Sequence, residues 1–212
     1  YRLSAGGRPL GSIVLRVRER KVVNGKDCLI LSLTVTNSVP GNPFFGLNDQ
    51  METVVTAELF QPILTSASFK GQLSFLNNNI QFESGAGKVR LNDGTQMDVP
   101  LGTKDLLSFF YAIRAYSLKT AAADSKDSDT RAPVFWNGKL SIFSLRAEAP
   151  TQTNTPAGLF RSQPVSIVTG DAQVDQMRPK IWLDMGPGRV PLRFELGPYL
   201  AELASVTEVV PK

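Results

Sequence analysis

The chain has 212 residues, with 23 Lys and Arg against 19 Asp and Glu, one cysteine and no histidine. A hydrophobic fraction of 42% and a charged fraction of 20% describe a chain that folds around a sizeable core, which excludes a disordered polyelectrolyte. Without histidine there is no triad base of the usual kind and no commonest transition-metal ligand, and a single cysteine excludes an internal disulfide.

The chain begins on "YRLSAGGRPLGSIVLRV", strand-like and lacking the charged-then-apolar pattern of a leader, so an export signal is expected to have been removed ahead of these residues. No run approaches the roughly 20 apolar residues of a membrane-spanning helix. In "RVRERK" the residues Arg16, Arg18 and Arg20 alternate, and on a regular strand they project from one face. They read as a solvated or edge-protecting face, or alternatively as a contact for phosphate or lipid headgroups. No aromatic residue interleaves with them, which argues against nucleic acid.

Asn24-Gly25 follows, the dipeptide that supplies the positive φ angles of a two-residue hairpin. In its second arm Leu29, Leu31, Leu33 and Val35 alternate with Ile30, Ser32, Thr34 and Thr36. Cys28 lies in this arm and reads as a buried strand residue, because nothing electropositive is near to activate a thiolate. Short strands are then predicted in "QMETVVTAEL", "KGQLSFLN", "IQFES", "GKVRLN" and "TQMDV", with turn chemistry such as "NNN" and "NDG" between them.

One segment has helical period. Thr103 is a candidate N-cap after Pro100 and Gly102, and a principal helix is predicted over about 103–118. At about 100° per residue, Leu106, Phe109, Phe110, Ile113 and Tyr116 share one side, and Leu106, Phe110 and Ile113 are assigned to the core. Asp105, Ser108 and Ala112 form a narrow polar and small stripe opposite. Asp105 with Ser108, and Tyr111 with Arg114, are spaced three apart and so adjacent on the helix surface. They read either as a polar constellation at a cavity mouth or as satisfied groups fixing the helix to strands.

Residues 119–133 are polar and small without periodicity, the pattern of a mobile loop. Strands resume in "PVFWNGKLSIFSLRAEAP", "LFRSQPVSIVTG", "PKIWLDM", "VPLRFELG" and "PYLAELASVTEV". The fold class is therefore all-β with minor α. We expect a single domain over 1–212, with ten to twelve strands in an antiparallel meander. That meander forms a curved, partly open, barrel-like sheet braced by one principal helix near 103–118.

The order of these elements resembles the exported bacterial proteins grouped as domain of unknown function 3108. The likeness rests on the aromatic-led opening from Tyr1 through Gly11 and on Asp105, Ser108, Tyr111 and Arg114 of the helix. It continues through Pro156 to Gly158, Trp182, Asp184, Arg189 and Pro191 to the apolar "LAEL". The resemblance implies a periplasmic or secreted location in the cell envelope, a β-rich, barrel-like fold, and no known reaction. It adds Trp182 and Asp184 to Asp105, Ser108, Tyr111 and Arg114 as candidate ligand-binding residues.

Two functions follow as expectations. One is a non-catalytic carrier for an apolar or amphipathic ligand, its space lined by Phe75, Phe82, Phe135, Trp136, Phe143 and Trp182. The other is a structural or interaction scaffold with no cavity, whose partner is an envelope protein or lipid. Neither a metal, a cofactor nor nucleic acid is expected, and no spaced carboxylate pair or Ser–Lys motif marks an enzyme.

Overall fold

The structure is a computed structural model describing residues 1–42, 46–83, 85–120 and 129–207. Strand β1 (Arg2–Ala5) turns at Gly6-Gly7 into β2 (Arg8–Val23). Asn24 (φ 49°) and Gly25 (φ 73°) then make the expected two-residue turn into β3 (Lys26–Ser38), with Val23 opposite Lys26. The β2–β3 register slips between Val17 and Glu19 and leaves Arg18 without an opposite residue. This bulge undoes the expected single face of arginines. Arg16 lies opposite Ser32 and Arg20 opposite Leu29, positions that project to different faces of the sheet.

The chain continues through β4 (Gln50–Thr56), β5 (Pro62–Ser68), β6 (Asn79–Glu83), β7 (Lys88–Arg90) and β8 (Gln96–Asp98). After the helix come β9 (Thr130–Trp136), β10 (Lys139–Ala147), β11 (Thr151–Thr155) and β12 (Gly158–Val168). Helix α2 (Ala172–Gln176) precedes β13 (Lys180–Asp184), β14 (Pro191–Leu196) and β15 (Tyr199–Glu202). Hydrogen bonding orders the strands β8-β7-β6-β5-β4-β3-β2-β1-β15-β14-β13-β12-β10-β9, with β11 attached to β12. Neighbours are antiparallel, and β8 and β9 do not pair with each other, so the sheet is not closed. An all-β, antiparallel, open sheet with one main helix is the architecture expected from sequence.

By contact the chain divides into two compact units, Gly11–Tyr116 with Arg131–Phe143, and Tyr1–Leu10 with Ser117–Thr130 and Ser144–Lys212. The larger unit has two apolar clusters. One gathers Leu31, Met51, Val55, Phe69 and Leu107, and the other Ile80, Phe82, Val89 and Phe135. In the other unit Trp182, Leu192 and Leu203 pack with Tyr1, Phe160 and Val190, and Tyr1 donates its phenol to the Pro191 carbonyl at 2.7 Å. Strands β2 and β10 each run from one unit into the other.

Several local expectations change. Residues 70–77 were expected as a strand, but Gly71–Leu76 form a 3-10 helix. Gly71 has φ 68°, and the Asn77 amide holds both the N–H and the carbonyl of Phe69, at 2.6 and 2.8 Å. Strands β5 ("PILTSAS") and β11 ("TQTNT") raise the number of described strands to fifteen, since small and hydroxyl residues hide their alternation. Of the expected loop at 119–133, residues 121–128 lie outside the described ones, and Thr130–Pro133 are already strand.

Helix α1 spans Leu106–Ala112 and tightens into a 3-10 turn at Ile113–Ala115. Its start is delayed because Lys104 is held extended beside β9, donating N–H to the Pro133 carbonyl at 2.9 Å and accepting from Phe135 N–H at 2.7 Å. The N-cap is accordingly Asp105, not Thr103.

Candidate functional site

The first turn of α1 forms a reciprocal cap. Asp105 Oδ1 accepts from the Ser108 N–H at 2.6 Å while Ser108 Oγ accepts from the Asp105 N–H at 3.0 Å. The other carboxylate oxygen reaches the sheet. Antiparallel pairing of β4 with β5 sets Thr53 opposite Thr65, and both hydroxyls donate to Asp105 Oδ2, that of Thr53 at 2.5 Å. All four residues are buried. A buried charge is tolerable only when its oxygens are well hydrogen-bonded, and this carboxylate accepts three hydrogen bonds. The helix's polar stripe of Asp105, Ser108 and Ala112 is thus its inward side, whereas Leu106 and Phe110, expected in the core, are half-buried. Ile113 is fully buried, as expected.

Beside this staple, Lys104 Nζ donates to the Leu59 carbonyl at 2.7 Å and to Gln61 Oε1 at 3.3 Å. Tyr111 stacks on Phe60 with ring centroids 6.2 Å apart. Burial pushes its phenol up to about 12, against the opposing pull of the nearby Arg114 cation. Asp105, Ser108, Tyr111 and Arg114 therefore lie along α1, its N-cap and the 3-10 turn that follows it in the larger unit, but the first two are taken up in a closed hydrogen-bond network.

Trp182 and Asp184 belong to the other unit, on β13. The Trp182 ring is buried and carries two cations, Lys180 Nζ at 5.4 Å and the Arg193 guanidinium at 5.7 Å from its centroid. Arg193 also bonds Glu202 at 2.7 Å, and Lys180 bonds Glu148 at 2.6 Å. Burial raises the Glu148 carboxyl, but hydrogen bonds from Lys180 and Ser166 and the lysine charge outweigh it, and the net shift is downward. Asp184 lies opposite Ser162. Sequence reading missed Thr53, Thr65, Lys104 and Arg193. Their roles depend on pairings 40 or more residues away for the threonines, which no local pattern reveals.

Apart from Arg193 Nε, which is buried without a hydrogen-bond partner among the described residues, the chemistry on offer is that of satisfied groups. The threonine hydroxyls face a carboxylate that already accepts three hydrogen bonds, a geometry that fixes positions more than it activates a nucleophile. Among the described residues no cluster of acidic or cysteine ligands is placed to hold a metal, and no helix is long and apolar enough to cross a membrane.

No curated protein matches the chain. Among solved structures it is similar to a Bacteroides fragilis protein described as a candidate exported protein with a YmcC-like fold. The two are 14% identical at a TM-score of 0.39, covering 98% of this chain and 93% of the other. A family model described as "Protein of unknown function (DUF3108)" matches residues 1–201, and the chain therefore belongs to the DUF3108 family.

Proposed function

We propose that the protein is a non-catalytic interaction module of the cell envelope, which engages partners through its strands and takes no ligand into its interior. The observation that carries this reading is the use already made of its aromatic side chains. Phe82 meets Phe135 edge-on at 6.3 Å, Phe143 meets Phe109 at 5.3 Å and Trp136 at 6.2 Å. Four of the six rings offered from the sequence as cavity lining are spent on other aromatic rings within the larger unit. The Trp182 ring carries Lys180 and Arg193, and Phe75 is 50% exposed instead of lining an interior. The envelope location is supported by the sequence resemblance.

The test is a titration of intrinsic fluorescence with fatty acids of graded chain length, alongside native mass spectrometry of the purified protein. The interaction reading expects a flat response and no travelling small molecule. A saturable, chain-length-dependent response that disappears in Trp182→Phe would establish a carrier instead.

A further inference from the structure

Strand β1 has four residues and accompanies only the beginning of β2, whose sixteen residues run on to the hairpin turn. From Arg16 to Val22 every residue is exposed, with β3 on one side and, among the described residues, no strand on the other. In an antiparallel ladder alternate residues aim N–H and C=O away from the neighbouring strand. This stretch therefore presents unpaired backbone groups, which an added strand can satisfy.

The side chains narrow the choice of strand. Arg16, Arg18, Arg20 and Lys21 outnumber Glu19. Arg18 holds Glu52 at 2.6 Å and Arg20 holds Asp27 at 2.5 Å, but these arginines are 58% and 71% exposed, and exposed pairs exchange partners readily. Arg16 has no ion pair among the described residues. A second copy of the chain fits badly. Antiparallel pairing of this edge with its own copy brings two sets of Arg16, Arg18, Arg20 and Lys21 along one seam, an excess of like charge that repels. Val17 and Val22, 47% and 72% exposed, supply apolar positions between the charges.

We propose that the β2 edge from Arg16 to Val22 is a docking edge for an extended acidic segment of a partner protein, which adds to the sheet as a strand carrying carboxylates on both faces, against Arg16 on one and Arg20 on the other. This rests on the interaction reading above and narrows it to one edge and one partner chemistry. The charges that keep copies of the chain apart are the ones that select the partner.

The experiment titrates a fluorescent Glu–Val peptide with the repeat Glu-Glu-Val-Val, about eight residues long, so that both faces of the added strand carry carboxylates, into the whole chain at low salt. A Lys–Val peptide and a proline-broken acidic peptide of equal charge serve as controls. Saturable binding of the Glu–Val peptide alone is expected, with new amide-exchange protection across Arg16–Val22 and about tenfold weaker binding in Arg16→Glu. Val22 sits one position before the pair that closes the turn, so its N–H points to the open edge. Val22→Pro therefore blocks strand addition while sparing the β2–β3 ladder.

Equal binding of the proline-broken peptide would reduce the effect to ion exchange and overturn the proposal. Peptide protection at another strand would overturn this edge while leaving the interaction reading intact. Binding only to phosphatidylglycerol vesicles would assign the arginines to a membrane surface and equally overturn it. The fatty-acid titration decides the interaction reading independently of all these outcomes.

Discussion

Lys104 ends among neutral acceptors, the Leu59 carbonyl and the Gln61 amide, and its amine responds to that. Burial lowers it from the usual 10.5 to about 8, although the adjacent Asp105 carboxylate pulls upward. An unfolded chain keeps this lysine protonated to higher pH, so above about pH 8 the unfolded state binds more protons and stability rises with pH towards 10.5. Tyr111 has the opposite sign. Its phenol is raised from 10.0 to about 12, and the stability it lends below pH 10 fades as the pH climbs past that value. Parallel urea titrations of wild type and Lys104→Met are expected to show wild type gaining on the variant between pH 8 and 10. A gap that stays constant with pH would mean the amine titrates as if exposed. Asp105 makes a second prediction. Alanine there removes the shared acceptor of two buried hydroxyls, leaving them only their 3.4 Å contact with each other, and the acceptor of the Ser108 N–H. That loss should cost about 2–4 kcal/mol in urea unfolding. Asparagine should recover part of the loss, because its amide oxygen still caps the helix.

At the level of elements, the hairpin turn at Asn24-Gly25 was legible because two adjacent residues decide it. The β2 bulge was not, since it depends on which residues of β3 lie opposite, and the arginine alternation in the sequence is unbroken. Helix α1 was legible in period and misleading in orientation. Asp105 and Ser108 showed their i,i+3 partnership, but Thr53 and Thr65 turned that polar stripe inward, and the small side chains of Ser108 and Ala112 let the helix come close to β3 and β4. Its apolar anchor is Phe109, 2% exposed and edge-on to Phe143. Phe109→Ala should cost about 3–5 kcal/mol, and an unchanged melting temperature would remove α1 from the core. Gly11 is a harder constraint on the sheet. At φ +155° it lies opposite Ser38, and a Cβ would sit 2.2 Å from the Asn37 carbonyl oxygen. Gly11→Ala should therefore lower the melting temperature sharply, unlike Gly25→Ala, where no atom lies near and only backbone strain is added.

On the scale of the whole molecule, each unit carries one tryptophan, Trp136 in the larger and Trp182 in the other. Because β2 and β10 are continuous through both units, melting either one strips hydrogen bonds from strands the other uses. Urea curves of Trp136→Phe and Trp182→Phe, each read by the tryptophan that remains, are expected to share one midpoint. Separated midpoints would show that the units unfold independently. The chain's only thiol, Cys28, is fully buried on β3 opposite Lys21 and Thr56. It is consequently a built-in clock. An alkylating reagent can consume it only as often as the central strands part, so mass-spectrometric labelling under native conditions would time that opening without any engineered probe.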